Sequence, residues 1–122
     1  MRAIQGVGVV FHFAANPEVR ISTIDPMLHL MKNAIATFNL LETVRKCEVK
    51  ELIFASSRSV YGERKHIPVG ESALVRPTSV YGACKATCEN LIYASILGLR
   101  DILNFNNLLN HAEEEGQGWQ VI

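Results

Sequence analysis

The apolar residues of this chain fall into runs and stripes that predict buried strands alternating with helices. Val7 to Ala15 (Val-Gly-Val-Val-Phe-His-Phe-Ala-Ala) is a nearly unbroken β-branched and aromatic run, the pattern of a strand buried on both faces of a parallel sheet. Asp25-Pro26 predicts a helix start, an Asp cap with Pro in the first turn. Met27, Met31, Ala34, Phe38 and Leu41 then recur at helical spacing. Leu28, Leu30, Ile35, Leu40 and Val44 widen that stripe nearly round the cylinder. A helix over residues 26–46 therefore has two surfaces to bury, one on the sheet and one on a partner subunit. Glu42 stands four before Lys46, a favourable surface pair.

Val49 to Ala55 predicts a second buried strand that delivers Ser56 and Ser57 to its carboxyl end. Residues 62–78 form a long connection carrying Gly62, Pro68, Gly70 and Pro77, and connections of this length are commonly functional or disordered. Its basic residues and neighbours (Arg58, Arg64, Lys65, His66, Arg76) read first as solvated surface and second as phosphate contacts. Ser79 predicts the cap of a helix over 79–97, with Leu91, Ile92, Ile96 and Leu97 as its core stripe and Gly98 as its stop. Arg100 to Phe105 reads as a third strand. The fold class predicted is α/β, a partial parallel sheet in the order strand–helix–strand–helix–strand.

Composition narrows the setting. At 122 residues the chain fits one domain, and 48% apolar with 20% charged residues is an ordinary globular balance. Twelve basic and twelve acidic residues cancel, so charge gives no reason to propose nucleic acid or an anionic membrane as partner. Three cysteines and no signal peptide predict a reduced, cytoplasmic location. No apolar run reaches the roughly 18 residues of a membrane span. Cys84 and Cys88 lie four apart without a second pair of ligands, so they are expected to pack a helix rather than bind metal.

The candidate chemistry lies between Ser56 and Lys85. Tyr81 and Lys85, four apart on a helix, share a face. A cation beside a phenol favours the phenolate, and a hydroxyl such as Ser57 at an adjacent strand end could hold a substrate oxygen. Together they form an acid/base device for moving a proton at a carbinol oxygen. A bare Tyr-x-x-x-Lys is common by chance; the specificity lies in the ordered company of Phe54-Ala55-Ser56-Ser57, Val60-Tyr61-Gly62 and Pro77-x-Ser79-x-Tyr81-Gly82-Ala83-x-Lys85. Glu89, four after Lys85, is placed to compete for the ammonium.

With His12-Phe13-Ala14-Ala15, Asn33 and Thr37-x-Asn39-Leu40-Leu41-Glu42 added, the chain resembles the extended short-chain dehydrogenase/reductases of the NAD-dependent epimerase/dehydratase family, over roughly residues 7–98. It is most similar to the UDP-glucose 4-epimerase type. The resemblance implies NAD as cofactor and a nucleotide sugar as substrate. It implies that Phe13, Ala14, Ala15, Asn33, Ala55, Ser56, Tyr81 and Lys85 bind the cofactor, and that Ser57, Tyr81 and Lys85 are catalytic. It further implies a homodimer through helices 26–46 and 79–97. Arg58 and Ser59 replace the Asp-Glu pair of related sugar 4,6-dehydratases, which argues for epimerisation over dehydration. The family's strand-end pattern fades after residue 100, where Asn107 is the candidate for its Asn.

A dinucleotide-binding half normally opens with a glycine-rich turn between strand and helix, and Gly6-Val7-Gly8 has the wrong spacing for one. The chain is accordingly expected to be a middle piece lacking the first βαβ unit: residues 1–110 a partial epimerase/dehydratase domain, 111–122 an unassigned tail that is a frayed helix or disordered. Two functions remain open, a nucleotide-sugar epimerase fragment that is not active alone and a non-catalytic remnant that self-associates or joins a longer relative through its two helices.

Overall fold

The extended runs form a parallel sheet, with strands shorter than the apolar pattern suggests. In the computed structural model, which describes residues 2–63, 68–102 and 120–121, strand β1 (Val9–His12) lies beside β2 (Glu51–Phe54) in register from Val9↔Glu51 to His12↔Phe54. Gln120–Val121 form a short β3, parallel to β2 on its other side, so the strand order is β1-β2-β3. A strand beginning at Arg100 does not form. Helix α4 (Val80–Ile102) instead continues through Gly98. The sequence keeps helical spacing there through Ile92, Ile96 and Leu99, and one glycine inside a long helix costs only about 1 kcal/mol. Phe105, Asn107 and most of the 111–122 tail lie outside the described residues.

Before α4, the chain builds a segmented helical layer. A single turn, α1 (Ile21–Ile24), leads to Asp25, whose Oδ1 accepts from the Leu28 N–H at 3.1 Å. Pro26 occupies the first helical position, as expected. Helix α2 (Pro26–His29) then runs into a wide π turn (Leu30–Ile35) and on into α3 (Ala36–Lys46). The end of α3 is tied by the Glu48 N–H to the Arg45 carbonyl at 3.3 Å and the Val49 N–H to the Val44 carbonyl at 3.1 Å. This paired closure places Glu48 at φ 54°, a left-handed position usually held by glycine. Glu42 meets Arg45 at 2.9 Å and Lys46 only at 4.0 Å.

The core sits on one face of the sheet. Leu52 and Phe54 pack with Leu41, Cys88 and Ile92, flanked by Val10, Leu40, Leu91 and Ile96. The other face is open: Phe11 and Phe13 are 62% and 61% exposed and meet each other edge to face at 5.9 Å. The expectation that β1 is buried on both faces is therefore corrected, because among the described residues the helices cover only the Leu52–Phe54 side. The stripe of the first helix is corrected as well. Ala34 and Leu41 of that stripe are buried, but Met27, Met31 and Phe38 are exposed, while His29, Asn33 and Thr37 join Leu41 on the inward side. The wide turn adds a residue to the helical circuit, and that shift brings His29 and Asn33 to the buried side.

Candidate active site

Parallel pairing brings the carboxyl ends of β1 and β2 to one edge, where the Ala55 N–H donates to the His12 carbonyl at 3.3 Å. Beyond β1, Phe13 and Ala14 are exposed and Ala15 is half-buried; beyond β2, Ala55, Ser56 and Ser57 are half-buried. Small side chains at such an edge leave backbone open to a ligand. The segment after β2 folds into a 3-10 turn (Arg58–Tyr61), with Ser57 Oγ accepting from the Ser59 N–H at 3.2 Å. Ser57 Oγ also lies 3.2 Å from Ser59 Oγ.

Two glycines hold this turn in place. Gly62 has φ 65°, and a side chain there would come within 2.1 Å of the Arg76 carbonyl oxygen. The Arg76 N–H closes the loop onto the Val60 carbonyl at 3.0 Å. Gly82 sits in the first turn of α4, where a Cβ would lie 2.5 Å from the Ser59 carbonyl oxygen. The serine-bearing turn thus docks directly on the helix residue that follows Tyr81. Ser79 starts that helix as expected, its Oγ accepting from the Gly82 N–H at 3.1 Å.

Tyr81 and Lys85 are both buried on α4, one turn apart. The Lys85 Nζ donates to the Ala55 carbonyl at 2.7 Å and stands 4.5 Å from the centre of the Phe54 ring. Burial pushes its pKa below the ordinary lysine value, opposed by the nearby Cys88 and Glu89. Glu89 does not take the ammonium among the described ion pairs; its carboxylate accepts a very short bond from Ser56 Oγ. Arg58 and Arg76 are exposed, and Arg64, Lys65 and His66 lie outside the described residues.

Behind these groups runs a buried polar network that the sequence pattern did not announce. The His12 Nε2 lies 2.8 Å from Thr37 Oγ1, and the Cys88 thiol lies 3.4 Å from the same hydroxyl. Burial, reinforced by Lys85, lowers the His12 pKa. Burial likewise raises the thiols of Cys84 and Cys88, which are free. Asn33 is 1% exposed and grips Asn16 from both sides: its Oδ1 accepts from the Asn16 N–H at 2.7 Å and its Nδ2 donates to the Asn16 carbonyl at 3.3 Å. Its amide thus holds the loop after β1. The available signal was a polar residue every fourth position (His29, Asn33, Thr37) inside an apolar helix. No helix among the described residues is long and apolar enough to cross a membrane.

Residues 2–115 match the protein family described as GDP-mannose 4,6 dehydratase. A UDP-glucose 4-epimerase of Streptomyces lividans is 40% identical over 83 residues, covering 68% of this chain and 25% of that protein. A crystal structure of a UDP-galactose 4-epimerase superposes with TM-score 0.68 at 51% identity, over 74% of this chain and 30% of the other. The UDP-glucose-4-epimerase of Stenotrophomonas maltophila, solved with bound NAD and a formylated UDP-arabinopyranose, superposes with TM-score 0.72 at 32% identity, over 76% and 28%. The chain therefore spans between a quarter and a third of the length of these relatives.

Proposed function

The chain belongs to the NAD-dependent epimerase/dehydratase family, with the partial Rossmann-like fold of its relatives, and from that premise we propose that it carries the proton-transfer residues of a UDP-glucose 4-epimerase-type enzyme. The carrying observation is the buried Lys85 ammonium, fixed on the Ala55 carbonyl one helical turn from Tyr81, with the Ser57 turn packed against Gly82.

The residues fit NAD. An ammonium has three donors, and the described bond to Ala55 leaves others for a ribose hydroxyl. Phe13, Ala14 and Ala15 give an accessible edge beside it, and Ala55 and Ser56 line the neighbouring strand end. When bound, NAD would take up and return hydride at the sugar carbon. Tyr81 takes the proton of the sugar hydroxyl as hydride departs and gives it back on return. Lys85 supports the phenolate electrostatically while the proton is away. The Ser57 hydroxyl, free to rotate off Ser59, holds the reacting oxygen. Asn33 contributes by fixing the Asn16 loop at the cofactor edge. Arg58 and Ser59 stand where related dehydratases carry an acidic pair, which supports epimerisation.

Calorimetric titration with NAD and conversion of UDP-glucose to UDP-galactose test this directly. Micromolar cofactor binding with turnover abolished by Tyr81→Phe would support catalysis by this chain alone. No binding at millimolar NAD rejects catalysis by the chain alone and leaves the epimerase relation as ancestry.

A second reading is favoured by one observation. Met27, Leu30, Met31, Ile35 and Phe38 are 40–59% exposed along the first helix, and Tyr93 is 64% exposed on α4. Such a surface supports self-association through helices 26–46 and 79–97, with or without catalysis. Sedimentation as a monomer at high micromolar concentration would reject that association.

A further inference from the structure

His29 has no role in the chemistry above, yet it is fully buried and touches Tyr81. Its ring stands edge to face with the phenol ring, centroids 5.8 Å apart and planes at 73°. Both of its nitrogens are bonded to other segments. Nε2 lies 2.9 Å from the Glu18 carbonyl in the loop after β1, and Nδ1 lies 3.2 Å from the Asn33 amide nitrogen in the π turn. A carbonyl only accepts and an amide nitrogen only donates, so Nε2 carries the hydrogen and Nδ1 the lone pair.

That arrangement fixes the plane of the imidazole. Turning the ring would break both bonds of a fully buried side chain. A phenylalanine or leucine could fill the same space without being held. Asn33 in turn grips Asn16, so the loop after β1, the π turn and the imidazole form one connected unit that ends on Tyr81.

We propose that His29 is a positioning residue for Tyr81, its doubly tethered ring setting the orientation in which the phenol meets the sugar hydroxyl. The functional half of this statement rests on Tyr81 being the proton acceptor; the orientation itself does not. Aromatic pairs of this geometry bias an orientation by about two- to tenfold.

The test uses the full chain with ¹³C-labelled tyrosine rings and compares His29→Leu and His29→Phe with wild type by NMR. His29→Leu should shift the Tyr81 ring resonances and broaden its side-chain orientation, leaving exposed Tyr93 unmoved. His29→Phe, whose ring is not tethered, should restore the Tyr81 signature only in part, while the Asn16 amide exchanges faster for want of the tether. Where turnover is measurable, kcat should fall about two- to tenfold in His29→Leu with KM unchanged, and recover partly in His29→Phe. Unchanged Tyr81 resonances in a folded His29→Leu variant overturn the proposal. If that variant does not fold, His29→Phe decides: wild-type Tyr81 orientation together with wild-type Asn16 exchange overturns it. NAD titration of the wild type, run alongside, judges the enzymatic reading separately, since failure to bind cofactor leaves these ring measurements intact.

Discussion

Replacing Gly82 by alanine sets two effects of opposite sign against each other. In an isolated helix the change is favourable by about 1 kcal/mol, because alanine loses less backbone freedom than glycine. In this structure the new Cβ would lie 2.5 Å from the Ser59 carbonyl oxygen, 3.0 Å from its carbonyl carbon and 3.1 Å from Pro77 Cβ. A carbon–oxygen approach is ordinarily about 3.3 Å or more, so the turn bearing Ser57 must retreat by roughly 0.8 Å. The obstacle is backbone, which no rotamer change can clear. Overpacking of this kind costs about 1–3 kcal/mol, which outweighs the helical gain. Net destabilisation of about 1 kcal/mol should lower the melting temperature by roughly 3–6 °C for a chain of this size. Thermal unfolding followed by circular dichroism is the assay. A higher melting temperature for Gly82→Ala would refute the reasoning, since it would mean the turn is not pressed against α4 as described.

Other expectations are independent of this one. Glu48→Gly should stabilise the chain by about 0.5–1 kcal/mol, read as a higher urea midpoint, because it relieves the left-handed backbone at φ 54°. Thr37→Val removes the hydroxyl shared by His12 and Cys88 and should cost about 1–3 kcal/mol in the same assay. His12 is depressed below its ordinary 6.5, so the unfolded chain takes up that proton first as pH falls. Its contribution is therefore present above pH 6.5 and is lost as pH falls through the folded value; His12→Gln should flatten that limb of the melting-temperature profile. Lys85 is also depressed, and here the buried ammonium costs stability at neutral pH. That cost is relieved as pH rises from the folded value toward the ordinary lysine value of 10.5, so the stability of wild type relative to Lys85→Met should improve as pH approaches 10.5.

The local signals in the sequence were strong where one residue type has one use. Asp25-Pro26 announced a helix start and the structure places the cap there; Ser79 did the same for α4. The apolar runs announced β1 and β2, and four-residue spacing put Tyr81 and Lys85 on one face. What escaped was set by tertiary packing. Nothing in Leu30–Ile35 marks a π turn, so Met27, Met31, Ala34, Phe38 and Leu41 read as one stripe when only Ala34 and Leu41 of it are buried. Glu89 looked like a partner for Lys85, but a hydroxyl from the neighbouring strand end reached its carboxylate first. Gly98 looked like a stop, although a glycine ends a helix only where the chain turns into the left-handed region. Glu48, which does adopt that backbone, carried no sign of it.

The π turn lets the first helix carry one residue more than its seats require. Each residue of an α-helix advances its face by about 100°. Deleting a single amino acid between Leu30 and Ile35 would let the segment relax into regular α-helix while Thr37 and Leu41 keep their seats and His29 stays beside the phenol. The same tightening at full length would instead swing everything upstream by about a quarter of a circle, carrying His29 away from Tyr81. One codon's worth of chain is thus what the wide turn absorbs.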